Sequence, residues 1–483
     1  FGSRNRAAPQ EQPLRGGVGG RGCLMAPAEE APEHGYAQLP GPGEPGPETS
    51  AASAAELRAN FWWMSACFSV NHGCVTTPLV VASTVLGGEV AAAGNGILYI
   101  MTMLASLFVA APMISMLGAK ASLLCSMFLY CIYAGGFTLA LVFKDAPPVA
   151  WAAFAIGSMC GGLAAGAMWT AQGSYFSSSA TLLSAAEGKP RTAATASLAG
   201  SFASMYLACE VGSKLGYSFL QKLGVDPWVV GLVYMVLGAS AWVLMFRVKH
   251  LDSDTPPASL LSKVWSATSL WSDLNIWLLS PTNLSFGFAA AFMNGYVNAN
   301  FAQHELGPDW VGALAALTAA TAALLSGPFG VLSKRTGKGP LVALGATCFL
   351  CVPLCIFQLG CCEGWGMWLV VLYLLQGTGR AVYESTNRAI FSDFFAGQDA
   401  EGAFANCMLQ SSLSFAICFF LQTNLTGCSL AYIVLVLAAV TPLSYACARW
   451  VRRRRMRRLA KEKLLALLAD QERKEGPCPD AGA

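Results

Sequence analysis

The sequence predicts an all-helical integral membrane protein of about twelve transmembrane helices in two six-helix repeats. Three observations carry that prediction. Hydrophobic residues make up 55% of the chain and charged residues 12%, against roughly 25% charged in an ordinary soluble domain, so few charges remain to coat a surface facing water. The apolar residues fall in windows of about 20 rather than in stripes at helical spacing, which makes lipid the solvent. A charged, proline-stopped break, Arg247-Val-Lys249-His250-Leu-Asp252-Ser-Asp254-Thr-Pro256-Pro257, divides the windows. Those on its two sides pair off in length and order, as in a duplicated bundle built around a central path.

Taken in order, residues 1–57 are rich in Pro, Gly, Ala and Glu, as in Pro40-Gly-Pro-Gly-Glu-Pro-Gly-Pro47. Such a segment buries too little apolar area to offset its ordering entropy, and a disordered tail is expected. The chain opens on Phe1 rather than Met, which leaves its natural start open. A first six-helix bundle, 58–247, is expected from spans at 60–82, 94–117, 119–143, 149–172, 194–220 and 227–247. A central loop at 248–275 follows, then a second bundle, 276–450, with spans at 276–300, 310–333, 340–359, 365–389, 402–424 and 428–450.

An even number of spans puts both termini on one side. Lys120, Lys189, Arg191, Arg247, Lys249, Lys263, Lys334, Arg335, Lys338 and the arginine-rich tail share the N-terminal face, whereas the opposite loops offer only Lys144 and Lys222. Because basic loops stay inside, both ends are expected to be cytosolic, with the lipid bilayer as the obligatory partner. The tail, 451–483, carries Arg452 to Arg458 and then Met456, Ala460, Leu464 and Leu467 on one helical side. Two readings stand: a basic helix lying on anionic lipid, or a stop-transfer cluster continuing as a solvated helix.

Several function classes drop out. The formal charge of +3 implies no nucleic-acid partner. Cys348, Cys351 and Cys355 share one oily helix with no His or carboxylate beside them, so packing rather than metal binding is expected. Cys361, Cys362 and Cys428 fall in loops opposite the basic face, where a disulfide stays open. Gly157 with Gly161, and Gly162 with Gly166, have the spacing for close helix contact rather than for a nucleotide loop. With four histidines and no nucleophile constellation or phosphate loop, neither an enzyme nor a cofactor is expected.

Laid out in order, Leu98-Tyr99, Pro112, Leu117-Gly118-Ala-Lys120, Tyr130-Cys-Ile-Tyr133 and Trp169-Thr-Ala-Gln172-Gly173-Ser-Tyr175 resemble the uncoordinated ninety-three family of the major facilitator superfamily. Gly377-Thr-Gly379 with Glu384, and Ala403-Phe404-Ala-Asn406, extend the likeness. Gly330 to Lys338 is similar to the superfamily's basic loop between helices eight and nine. Helix one departs from the family's amide-rich pattern, reading Asn71-His72-Gly73-Cys-Val-Thr76-Thr77-Pro78. The resemblance implies a twelve-helix facilitator fold. It also implies a role either in ion homeostasis, notably of potassium, with channel regulation, or in escorting membrane receptors.

Charges inside a bilayer cost about 2.5–3.5 kcal/mol each at mid-helix, so each needs a partner or a wet cavity. Arg380, Glu384 and Arg388 recur every four residues on helix ten, which puts Glu384 between two guanidinium groups. They read either as a charged gate or as a structural triad. Glu210 sits deep on helix five with Lys214 one turn on; Lys214 is placed near the outer interface, where it either snorkels or pairs with Glu210. His72 beside Asn71 in helix one is either a packed histidine or a proton carrier. Gln172, Asn294, Asn298, Asn406 and Gln410 complete a polar set that either glues helices together or lines a path. The expected function is alternating access, with 60–247 rocking against 276–450 around these residues to move an ion or small polar solute. Lys120, Lys334, Arg335 and Lys338 serve as cytosolic gating loops. The other reading is a non-transporting regulatory or escort subunit for a channel or receptor.

Overall fold

The structure is a computed structural model, and it describes residues 53–251, 260–359, 364–395 and 399–474. The 1–52 part of the expected tail, the 252–259 part of the central loop, Cys361, Cys362 and residues beyond 474 lie outside the described residues, as do the side chains of Lys263, Lys334 and Arg388.

Twelve long helices succeed one another among the described residues. In the first half, α1 is Ala54–Val85, its first turn capped by the Ser53 hydroxyl accepting from the Glu56 amide. A single helical run then turns at Gly118, whose φ of 78° and ψ of 166° suit glycine alone; this turn separates α2 (88–117) from α3 (119–142). Next come α4, Pro147–Glu187, closed by left-handed Gly188, then α5, Arg191–Lys222, and α6, Pro227–Met245. A short linker helix occupies Leu260–Ser269. The second half consists of α7 (Leu274–Leu306), α8 (Pro308–Thr336), α9 (Lys338–Leu359), α10 (369–394), α11 (Asp399–Leu421) and α12 (Gly427–Lys474).

Two features depart from the expected plain spans. Stretches of π-helix widen α2 at Ala105–Val109, α7 at Met293–Ala302 and α10 at Tyr383–Asn387. The longer helices overrun lipid: α12 has 48 residues, about 72 Å at the α-helical rise, against a hydrocarbon thickness of about 30 Å. Its residues 453–468 are exposed, so the arginine-rich tail is the continuation of the last span.

Eight stretches are long and apolar enough to cross a membrane, and one of them is the α2–α3 run. The helices missing from that set are α1, α5 and α10. They are the ones that carry His72, Glu210 and Arg380.

The glycines of α4 let its neighbours close in. A Cβ on Gly166 would meet the Ser106 amide nitrogen at 2.6 Å, one on Gly161 the Tyr133 ring at 2.9 Å, and one on Gly162 would strike the Leu98 carbonyl. The halves meet along two seams. α5 lies against α8, where a Cβ on Gly312 would sit 2.5 Å from the Lys214 carbonyl. α2 lies against α11, where the Tyr99 and Phe415 rings stack with centroids 4.2 Å apart.

One end of the bundle gathers the basic loops. There Arg58 bonds Glu187, the Lys120 ammonium donates to the Phe246 carbonyl at 3.1 Å, and Arg455 reaches Asp273. Hydrogen bonds between the halves occur toward the opposite, far end. Ser83 donates to the Asn294 carbonyl, Asn298 to the Val80 carbonyl, Gln303 to the Thr84 carbonyl, and the Ala313 amide to the Ser218 hydroxyl. Toward the basic end, Ala193, Ser197, Gly200 and Ser204 of α5 are exposed, as are Gly327, Pro328 and Val331 of α8.

Candidate functional site

At mid-height the polar helices bring four charged side chains together. Helical pitch sets Lys214 one turn beyond Glu210 on α5, and its ammonium lies 2.5 Å from Glu210 Oε1, both side chains being sealed from solvent. From the other half, α10 supplies Arg380. Its Nη1 donates to Glu210 Oε1 at 2.9 Å and its Nη2 to Oε2 at 3.1 Å, a fork across the boundary between the halves. Its Nε donates to Glu384 Oε1 at 2.7 Å one turn along α10. The chain Lys214–Glu210–Arg380–Glu384 thus alternates in sign and sums to zero formal charge. Ions removed from water need such pairing, because the desolvation of each amounts to several kcal/mol.

Of the two readings of Lys214, the structure shows the pair with Glu210. Lys214 does not snorkel: packing of α5 against α8 encloses it, and its ammonium turns to Glu210. Glu384 takes its hydrogen bond from Arg380, while the Arg388 side chain lies outside the described residues, so the expected second guanidinium is not part of the described site.

His72 sits within one helix layer of this chain, inside an aromatic box. Its ring centroid is 5.3 Å from those of Trp169 and Tyr206, 5.8 Å from Tyr130 and 5.9 Å from Phe68. Nε2 is 3.3 Å from the Tyr206 hydroxyl, and Nδ1 has no hydrogen-bond partner.

The other predicted residues disperse. Asn71 faces away from the charges and donates to the Met127 and Gly238 carbonyls, tying α1 to α3 and α6. Gln410 accepts from Asn283 at 2.7 Å, and Asn387 donates to that same Asn283, so these amides form a network inside the second half. Asn406 fits the gluing reading of its amide. It accepts from the Trp271 indole and donates to the Ala267 carbonyl, both at 2.8 Å, which fastens the linker helix to α11. Asn294 and Asn298 both fall in the π-helical stretch of α7. Asn298 becomes a far-end latch, donating to the Val80 carbonyl at 3.1 Å and accepting from the Tyr373 hydroxyl at 2.6 Å, while Asn294 offers its carbonyl to Ser83. Gln172 is buried in α4.

Of the loop residues, Lys120 caps the end of α6, Lys338 holds the Ala389 carbonyl and Asp393 of α10, and Arg335 is exposed. Each basic loop therefore braces its own half. Among the described residues no disulfide joins two cysteines, and no group of His, Cys, Asp and Glu has a metal-binding arrangement. Sequence reasoning missed the Glu210–Arg380 joint and the wall formed by Phe202 and Tyr206. The available signal was Tyr206, one turn before Glu210 on a helix too polar for lipid.

The comparisons agree with this architecture. The sequence model of the Major Facilitator Superfamily matches residues 283–472. The crystal structure of the nucleoside transporter NupG superposes with a TM-score of 0.60 at 12% identity, covering 81% of this chain and 98% of that one. The crystal structure of the POT family transporter PepTSo gives 0.57 at 13% identity, covering 82% of this chain and 97% of that one. At those identities the likeness concerns the fold. The chain is a multi-pass membrane protein of the major facilitator fold.

Within that class its sequence is similar to those of UNC93 proteins. It is 25% identical over 409 residues to protein unc-93 homolog A of Bos taurus, covering 74% of this chain and 85% of the relative. It is 24% identical over 366 residues to UNC93-like protein 3 of Arabidopsis thaliana, covering 72% and 76%.

Proposed function

We propose that the chain moves an ion or small polar solute across the bilayer by alternating access, residues 58–247 rocking against 276–450 about the Glu210–Arg380 joint. The observation that carries this reading is a charge-neutral chain of ionisable groups that crosses the two halves at mid-height. A bundle with no central traffic could fill that space with apolar side chains at no loss of stability. The far-end hydrogen bonds and the exposed basic-end faces of α5 and α8 fit a state closed at the far end. By the positive-inside rule the basic end faces the cytosol, together with both termini. The arginines from 452 to 458 then stand just past the apolar part of α12, at the level of anionic headgroups. Potassium is the first ion to try, given the ion-homeostasis role that the family resemblance implies, and the proton is the second.

The test uses purified full-length chain in liposomes, measuring potassium and proton flux against a Glu384→Gln control. Flux that falls in the variant supports the carrier. Absence of flux, with a membrane protein co-purifying in fixed ratio, replaces it with the escort or channel-subunit role.

A further inference from the structure

We propose that the cleft beside Arg380 binds an organic cation with a flat apolar body, Glu384 being the anionic anchor and Tyr99, Trp169, Phe202 and Tyr206 the stacking wall. As a substrate assignment this rests on the carrier reading; as a binding site it stands without it.

The charge that the cleft offers follows from how the network is shared out. Arg380 uses Nη1 and Nη2 on Glu210 and Nε on Glu384. Lys214 is enclosed against Glu210, with 5% of its side chain exposed. Glu384 keeps 36% of its side chain exposed, against 3% for Glu210 and 17% for Arg380. The two cations are therefore occupied, and the open member of the chain is a carboxylate.

The wall next to it is aromatic. Tyr206 precedes Glu210 by one turn, its ring 5.3 Å from that of Trp169, and Phe202 precedes Tyr206 by one more turn, the two rings lying within 9° of parallel at 6.1 Å. From the other side, Tyr99 stacks on Phe415, which lies against Phe286, and Phe286 stacks on Tyr383, the neighbour of Glu384 in the chain. All four wall residues are half-buried, each with one part packed on the core and another left uncovered.

A cation at Glu384 gains a charge-assisted contact, and its apolar body gains ring faces with their negative quadrupole. An organic anion meets repulsion from the same carboxylate. A bare potassium ion uses the carboxylate but gains little from four rings in exchange for its hydration shell.

The experiment is equilibrium binding of the fluorescent cation 4-(4-dimethylaminostyryl)-N-methylpyridinium to the purified full chain in detergent. Competitors are uridine as a neutral flat molecule and para-aminohippurate as an aromatic anion. Wild type is expected to bind the cation in preference to both. Glu384→Gln is expected to weaken binding about tenfold or more, Glu384→Asp to recover part of it, and Trp169→Leu to weaken it severalfold. Thermal melts establish that each variant is folded. Equal binding by folded Glu384→Gln, or a wild-type preference for uridine or the anion, overturns the proposal, and the wild-type competition decides even if the variants fail to fold. Cation binding without flux of potassium, protons or the bound cation itself would refute the carrier alone; potassium flux without cation binding would refute this site alone.

Discussion

Arg380 of α10 grips Glu210 of α5 with two guanidinium nitrogens, at 2.9 and 3.1 Å, and so pins one half of the bundle to the other at its centre. The grip is lopsided, because Glu210 also holds Lys214 whereas Arg380 also holds the more exposed Glu384. Glu210→Gln therefore orphans the buried Lys214 and leaves Arg380 only the more exposed Glu384, and a loss of about 3–5 kcal/mol is expected. Arg380→Gln leaves Glu210 with Lys214 and costs less. Thermal unfolding in detergent checks the order; Arg380→Gln proving the more damaging would contradict the arrangement.

Asn298 latches the far end through Val80 and Tyr373. Only the Val80 bond crosses between the halves, and a neutral hydrogen bond contributes about 1 kcal/mol, so Asn298→Ala should shift the balance toward a far-end-open form roughly fivefold. Spin labels at positions 144 and 310, one on each half at that end, should show a longer-distance population in the variant. An unchanged distance distribution would remove the latch from the mechanism.

Asn406 offers a sharper contrast between gluing and lining. Its three hydrogen bonds go to Trp271, Ala267 and its own helix. Asn406→Ala should therefore speed limited proteolysis between 248 and 275 while leaving solute preference unchanged. A changed preference with an intact linker would return it to the path.

Gly312 admits the α5 backbone where a side chain would collide with the Lys214 carbonyl at 2.5 Å. Gly312→Val should push α8 from α5 and lower the melting temperature, by about 1–3 kcal/mol of stability. Gly327→Val, on the exposed part of the same helix, serves as the neutral control. Equal effects from both would mean that the seam is not tight.

The spans were legible because lipid imposes a coarse rule, some 20 apolar residues per crossing, and Gly118 marks the α2–α3 turn in the sequence itself. Glu210 with Lys214 was legible too, since helical pitch relates residues four apart. Arg380 as the partner of Glu210 was not, because 170 positions separate them and periodicity reports only neighbours on one helix. The amides misled for a related reason: Asn71, Asn406 and Gln410 look alike in sequence, and only the facing helix decides whether each meets a carbonyl or a cleft. The π-helical stretches in α7 and α10 left no compositional mark, so the face presented by Asn298 was not predictable.

The most direct test of a bundle joined at its centre and parted toward the basic end is side-specific cysteine labelling. Single cysteines at Ser204 and Ser218, in a background lacking exposed Cys125, Cys428 and Cys447, are treated with membrane-impermeant maleimide from each side of sealed vesicles. Ser204→Cys should label from the basic side and Ser218→Cys from neither, with Glu210→Gln opening Ser218→Cys to the far side. Ready far-side labelling of Ser218→Cys in the otherwise native chain, with Ser204→Cys protected, would contradict the account.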